Sequence, residues 1–186
     1  HRDLHSFPTR RSSDLFNTYW TERVTVKSLY IKQKFFKILD HYPITDENGE
    51  TVYQVDQAFR LIGNTVHVSN AYGQHIFTID RVVLTLLPKF IVRFADGREI
   101  RIKSNFTLFH RDIDIDPDNL GLNLSGDFWD HEFSLIQRGI TVGTISKKWL
   151  TFADTYRLDI YDDSLQDVFI AVVIAVDRLI DESNNN

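Results

Sequence analysis

The stretch "SLQDVFIAVVIAVDRLIDE", Ser164 to Glu182, decides the fold, because it is the most apolar segment of this 186-residue chain. Ser164 and Asp167 stand three residues apart in front of the apolar run, a spacing typical of a helix start. The many β-branched residues also permit a strand, but the cap and the lack of alternation favour a helix that is apolar on every side. We expect five of its residues to form a core helix: Val168, Phe169, Val172, Ile174 and Val176.

The length of this helix separates a buried position from a membrane-spanning one. The uninterrupted apolar run from Val168 to Val176 has nine residues, which gives about 14 Å of helix against a hydrocarbon layer about 30 Å thick. Asp167 and Asp177 flank the run, and carboxylates are costly in lipid. The sequence therefore predicts a helix buried in protein and argues against a single transmembrane span.

A repeated unit of two alternating segments precedes the helix and predicts what surrounds it. Its central apolar residues recur at intervals of 24, 24, 23, 22 and 21 residues: Ile31, Val55, Ile79, Ile102, Leu124 and Ile145. Alternation over about five residues is typical of a half-buried strand, so six units predict a mainly β protein of about twelve antiparallel strands. A closed barrel removes the exposed edges of such a sheet, with a flat sandwich as the alternative. Because strand side chains alone fill a barrel of only about eight strands, we expect the C-terminal hydrophobic α-helix to fill this one.

Composition and chain ends bound the remaining possibilities. The net charge is -5 and there is no cysteine, which argues against nucleic-acid binding, excludes disulfides and fits a cytoplasmic protein. Residues 1–15 resemble a translated sequencing adapter, and we exclude them from the native protein. We expect residues 16–26 to form a lead-in, residues 27–181 one barrel domain, and residues 182–186 a disordered tail.

Motifs for known chemistry fail at the positions that matter most. "DIDIDPDNLG", starting at Asp112, resembles a calcium loop, but Pro117 stands where an EF-hand needs glycine and Asn123 where it needs glutamate. The strand interpretation instead turns Ile113 and Ile115 inward and the carboxylates to water. The histidines share no motif, so a hydrolase would need a site assembled in space from a histidine, a carboxylate and a hydroxyl. We predict a protein that is not an enzyme and has no cofactor or metal.

Four segments resemble the LURP-one-related family, which belongs with the phospholipid scramblases to the tubby-like superfamily. They are "LYIKQKFFKILDHYPITDENGETVYQV", "SGDFWDHEFSLI", "TISKKWLTFADTYRLDI" and "AVVIAVDRLID". The resemblance extends from about Lys27 to Asp181 and implies a twelve-stranded barrel around a C-terminal helix. Tubby relatives bind phosphoinositide head groups through basic residues, and scramblases carry an acidic calcium-binding stretch beside the final helix.

Carried over by position, the resemblance indicates Lys103, Lys147 and Lys148 as candidate lipid head-group ligands, with solvated strand lysines as the alternative. The acidic residues before the helix are explained better as caps and turns than as a calcium site: Asp159, Asp162, Asp163 and Asp167. We expect a binding or tethering module, peripheral to the membrane, with membrane phospholipid or phosphoinositide as its partner. A scramblase-like lipid-translocating protein is the first alternative and a hydrolase the second.

Overall fold

Twelve β-strands and one α-helix make up the part of the chain that a computed structural model describes, residues 26–32, 40–58, 64–106, 111–116, 120–148 and 155–184. The strands are β1 (Lys27–Lys32), β2 (His41–Thr45), β3 (Thr51–Ala58), β4 (Thr65–Asn70), β5 (His75–Arg81), β6 (Lys89–Phe94), β7 (Glu99–Phe106), β8 (Arg111–Asp116), β9 (Leu122–Asp127), β10 (Glu132–Gln137), β11 (Ile140–Lys148) and β12 (Thr155–Ile160). A single 3₁₀ turn, Asp163–Leu165, leads into α1 (Gln166–Asn184).

The strands form one antiparallel sheet that curls into a nearly closed barrel. The order around the wall is β8-β7-β6-β5-β4-β3-β2-β1-β12-β11-β10-β9, so β1 pairs with β12 and joins the two halves of the chain. The two ends of the sheet, β8 and β9, contact each other, but no ladder joins them in the described residues. The predicted barrel is confirmed, except that closure stops at this β8/β9 seam.

Alternation along the strands places apolar side chains inside the barrel. In β12, for example, Tyr156, Leu158 and Ile160 are buried and alternate with half-exposed residues. In β8, Ile113 and Ile115 are buried while Asp114 and Asp116 point outward, as the strand interpretation requires. The period of two therefore decides which face of the wall belongs to the core.

The helix occupies the interior of the barrel and completes the core. Every residue from Val168 to Val176 is buried, including Phe169 and Ile174. Phe169 packs so closely on β11 that a Cβ added to Gly143 would lie 2.8 Å from its ring. Glycine at this position lets the wall approach the largest side chain of the helix, and the prediction of an enclosed C-terminal helix is confirmed.

Polar side chains fix both ends of the helix. Asp162 caps the 3₁₀ turn that leads into α1, in agreement with the cap role expected for the acidic residues: its carboxylate accepts a hydrogen bond from the backbone N–H of Ser164 at 2.9 Å. Residues 182–184, part of the stretch expected as a tail, continue the helix. Glu182 forms an ion pair with Arg81 of β5 at 2.6 Å, which fixes the last turn to the wall.

We call the end of the barrel where α1 begins the upper end, and the end where it terminates the lower end. Because all neighbouring strands are antiparallel, the odd-numbered strands finish at the lower end, as β5 does beside Glu182. The links after β5 and β9 therefore lie at the lower end, and the turns after β4, β6 and β10 lie at the upper end.

Candidate functional site

Lys103 lies on the outer face of β7 near the lower end of the barrel. In the register of the sheet it stands between Lys89 of β6 and Asp114 of β8. Its Nζ lies 3.4 Å from Asp114 Oδ2, and the side chain is about half exposed. One carboxylate therefore partly neutralises Lys103, which still faces solvent.

Lys147 faces the opposite side of the wall, so the three candidate lysines do not share one site. It pairs in register with Tyr156, whose side chain is buried inside the barrel. Its Nζ lies 3.7 Å from Asp130 Oδ1 at the lower rim. Lys148 pairs with Thr155 through its backbone, and its side chain lies outside the described residues.

Lys89 is a candidate that the sequence interpretation missed. It stands directly opposite Lys103 on the outer face, and within the described residues no carboxylate lies close enough for an ion pair with it. Two like charges directly opposite each other in a sheet destabilise it. The alternation of "KFIVRF" is a signal that could have indicated an outward-facing Lys89, but its pairing with Lys103 depends on a register that one strand alone does not reveal.

Beside these lysines, residues 82–88 link β5 to β6 and carry exposed leucines; we call this segment the leucine loop. Leu84 and Leu86 are as exposed as in an extended chain, 102% each, and Leu87 is 40% exposed. The base of the loop is well fixed, because the backbone N–H of Val82 donates to the carbonyl oxygen of Lys89 at 2.8 Å. The loop therefore presents an apolar tip next to the lysine pair, at the lower end of the barrel.

A second group of polar side chains lies inside the barrel, around the lower part of α1. His131 Nε2 lies 3.0 Å from Asp177 Oδ1, and the imidazole stacks on the ring of Tyr156 with 4.7 Å between centroids. The guanidinium of Arg178 donates to the side-chain carbonyl of Gln57 in β3. Asp177 Oδ2 is buried without a hydrogen-bond partner among the described residues.

Burial shifts the acidity of two tyrosines next to the helix. Desolvation is the main cause of the raised pKa of Tyr42, and the nearby carboxylate of Asp177 raises it further. Burial likewise raises the pKa of Tyr53, and its hydroxyl donates to Asp167 Oδ1 at 2.5 Å, which adds to the shift. Both phenols are therefore held in the neutral form.

The cluster around His131 unites the three groups that a hydrolase requires, which the sequence could not show. Its histidine is buried, however, and the Tyr156 hydroxyl lies 3.4 Å from His131 Nδ1 at the limit of a hydrogen bond. A cavity of about 190 Å³ lies at the other, upper end, among apolar side chains such as Phe94 and Leu165. We interpret the His131 cluster as a tie between α1 and the wall.

Three of the four acidic residues around the start of the helix have separate partners. Asp159 accepts a hydrogen bond from Ser28, Asp162 caps the 3₁₀ turn, and Asp167 binds Tyr53. Asp163 is exposed. Within the described ranges, no three acidic or histidine side chains are grouped closely enough to hold a metal ion.

The helical content also bears on membrane association. Among the helices that the structure describes, none combines the length and the apolar character that crossing a bilayer requires.

Comparisons with known proteins give the family of this chain and a solved structure of similar fold. The family model described as LURP-one-related matches residues 27–177. An uncharacterised protein of Bacillus subtilis (strain 168), YxjI, is 26% identical over 148 residues, which are 80% of this chain and 89% of the relative. An X-ray structure of a protein from Arabidopsis thaliana matches 86% of this chain and 91% of its own, with a TM-score of 0.57 at 14% identity. The latter likeness is one of fold alone.

Proposed function

Since the chain belongs to the LURP-one-related family, we propose that it is a non-enzymatic module that tethers to membranes by binding anionic lipid head groups. The observation that carries this proposal is the pair of outward-facing lysines, Lys89 and Lys103, directly opposite each other at the lower end. A phosphate between them would relieve the repulsion that the sheet otherwise bears. This assignment keeps Lys103 from the sequence prediction and adds Lys89.

The net negative charge of the chain means that binding to an anionic membrane must depend on a local group of positive side chains. With a net charge of -5, the protein as a whole is repelled by an anionic surface, so attraction depends on where the lysines lie. Of the two, Lys89 contributes more, because Asp114 already neutralises part of the charge of Lys103. A juxtamembrane basic residue contributes about 1 kcal/mol near an anionic bilayer.

Vesicle co-sedimentation tests the proposal. We expect the protein to pellet with vesicles of equal parts phosphatidylcholine and phosphatidylserine, and not with phosphatidylcholine alone. Lys89→Gln should weaken binding about fivefold, and Lys103→Gln should weaken it less. Lys27→Gln is the matched control, because Lys27 is exposed at the upper end of β1. Equal pelleting with both vesicle types, or equal losses for Lys27→Gln and Lys89→Gln, would refute head-group binding by this pair.

A further inference from the structure

We propose that the leucine loop is a membrane-insertion element: Leu84, Leu86 and Leu87 enter the bilayer interface while Lys89 and Lys103 contact lipid phosphates. The lower end of the barrel then faces the membrane. This inference rests on the proposed function and adds to it an anchoring element and an orientation.

Exposure of the leucines is the first argument. Three leucines within four residues project from one loop, two of them without any shielding by neighbouring atoms. Other large apolar side chains exposed among the described residues, such as Tyr72 and Ile140, occur singly. Clustered exposed apolar side chains mark interaction sites, whereas single ones are ordinary.

The backbone of the loop is the second argument. Leu84 has a φ of 60°, in the left-handed region that disfavours residues with a side chain. A strained conformation that also holds an apolar side chain in water persists only when the surrounding structure enforces it. Here Thr85 Oγ1 donates to the carbonyl oxygen of Val82 at 3.2 Å, and Ser104 donates through its backbone N–H to the carbonyl oxygen of Pro88 at 3.2 Å. These hydrogen bonds hold the loop in a conformation that exposes its leucines.

The shape of the tip favours a bilayer over a protein. Full exposure means that Leu84 and Leu86 stand on a convex surface. A stable protein interface needs about 800 Å² per partner and close complementarity of shape, which three leucines on a tip do not offer. A bilayer adapts to any convex apolar tip, and apolar side chains at an interface bury to a depth of about 5–10 Å.

The charges at the base are the third argument, and they specify an anionic bilayer. Lys89 follows the loop directly, and Lys103 stands opposite it. On the other side of the loop, Arg81 at the end of β5 forms an ion pair with Glu182 of α1. Strand β5 therefore connects the leucine loop to the core helix. Leucines at the tip and lysines at the base match the order of acyl chains and phosphates in a leaflet.

The absence of cysteine from the chain makes a direct test possible with single labelled sites. Leu86→Cys, coupled to a polarity-sensitive fluorophore, should shift to the blue on phosphatidylserine-containing vesicles and be quenched by lipids brominated on their acyl chains. Tyr72→Cys is the matched control, because Tyr72 is 90% exposed in the adjacent turn at the upper end. Its label should show neither effect.

Unlabelled variants give the energetic counterpart. Leu86→Ser should weaken binding to phosphatidylserine-containing vesicles about tenfold, since burial of a leucine is lost. Ile140→Ser, a similar change at a residue that is 70% exposed at the upper end, should bind like the wild type. Both variants should keep the thermal midpoint of the wild type, because neither residue belongs to the core.

The outcomes separate the two proposals. A wild type that binds phosphatidylserine-containing vesicles while Leu86→Ser binds equally well, with the Leu86→Cys label remaining in water, overturns insertion and leaves head-group binding intact. A wild type that binds neither vesicle type overturns both proposals, and the leucine loop would then contact a protein.

Discussion

Single polar residues fix α1 within the barrel at both of its ends. At the upper end the Tyr53 hydroxyl donates to Asp167, and at the lower end His131 meets Asp177. The partners are 114 and 46 residues apart in the chain. No local pattern in the sequence could have predicted these pairs, because each depends on how far the helix is threaded into the barrel.

Tyr42 predicts a loss of stability in alkali. Its pKa is raised in the folded state, mainly by burial, so the unfolded state loses the proton first, near the ordinary tyrosine pKa of about 10. The stabilising contribution is complete below that pH and decreases as the pH rises above it. In urea titrations, the free energy of unfolding of Tyr42→Phe should fall less steeply above pH of about 10 than that of the wild type. Parallel pH profiles for the two proteins would contradict this.

At the scale of elements, the sequence predicted types well and ends poorly. The alternation around Ile79 and Ile102 identified strands, and the apolar run around Ile174 identified a helix, because burial imposes those periods directly. The exact start of the helix was harder to predict, because Ser164 and Asp162 are both good capping residues, and only the path of the chain chooses between them. The leucine loop escaped notice because exposed leucines and core leucines look alike in a sequence.

Ile174 provides the element-scale prediction. It is fully buried in the middle of α1, so Ile174→Asp would place an unpaired charge inside the barrel. The cost of several kcal/mol is comparable to the whole stability of a domain, which is about 5–15 kcal/mol. We expect Ile174→Asp to yield no soluble folded protein, whereas Ile140→Asp, the same change at an exposed isoleucine, folds normally. Soluble expression of Ile174→Asp with an unaltered thermal midpoint would mean that α1 is not the core.

At the scale of the whole molecule, the β8/β9 seam is the feature that the repeat concealed. Six similar units predict the number of strands, and the pairing of β1 with β12 follows if the sheet closes on itself. A uniform repeat does not show which neighbours fail to pair, because Ile115 and Leu122 look as suitable for pairing as their counterparts elsewhere. The pairing of Lys89 with Lys103 was concealed in the same way, since register is a property of the assembled wall.

The seam predicts uneven protection of backbone amides. Amides of β8 and β9 that face the seam lack ladder partners among the described residues, whereas β4 and β12 have ladders of several residue pairs on both sides. Hydrogen–deuterium exchange should therefore be fastest at β8 and β9 and slowest at β4 and β12. Equal protection of all four strands would indicate that the barrel is sealed at the seam.

The position of α1 after all twelve strands has a consequence for synthesis in the cell. A ribosome delivers the wall first, and until α1 emerges the nascent sheet has nothing to curl around. Strand β12, which joins the two halves by pairing with β1, also appears late. The domain therefore cannot complete its folding during most of its translation. Chaperones that shield nascent apolar strands have a long interval in which to act.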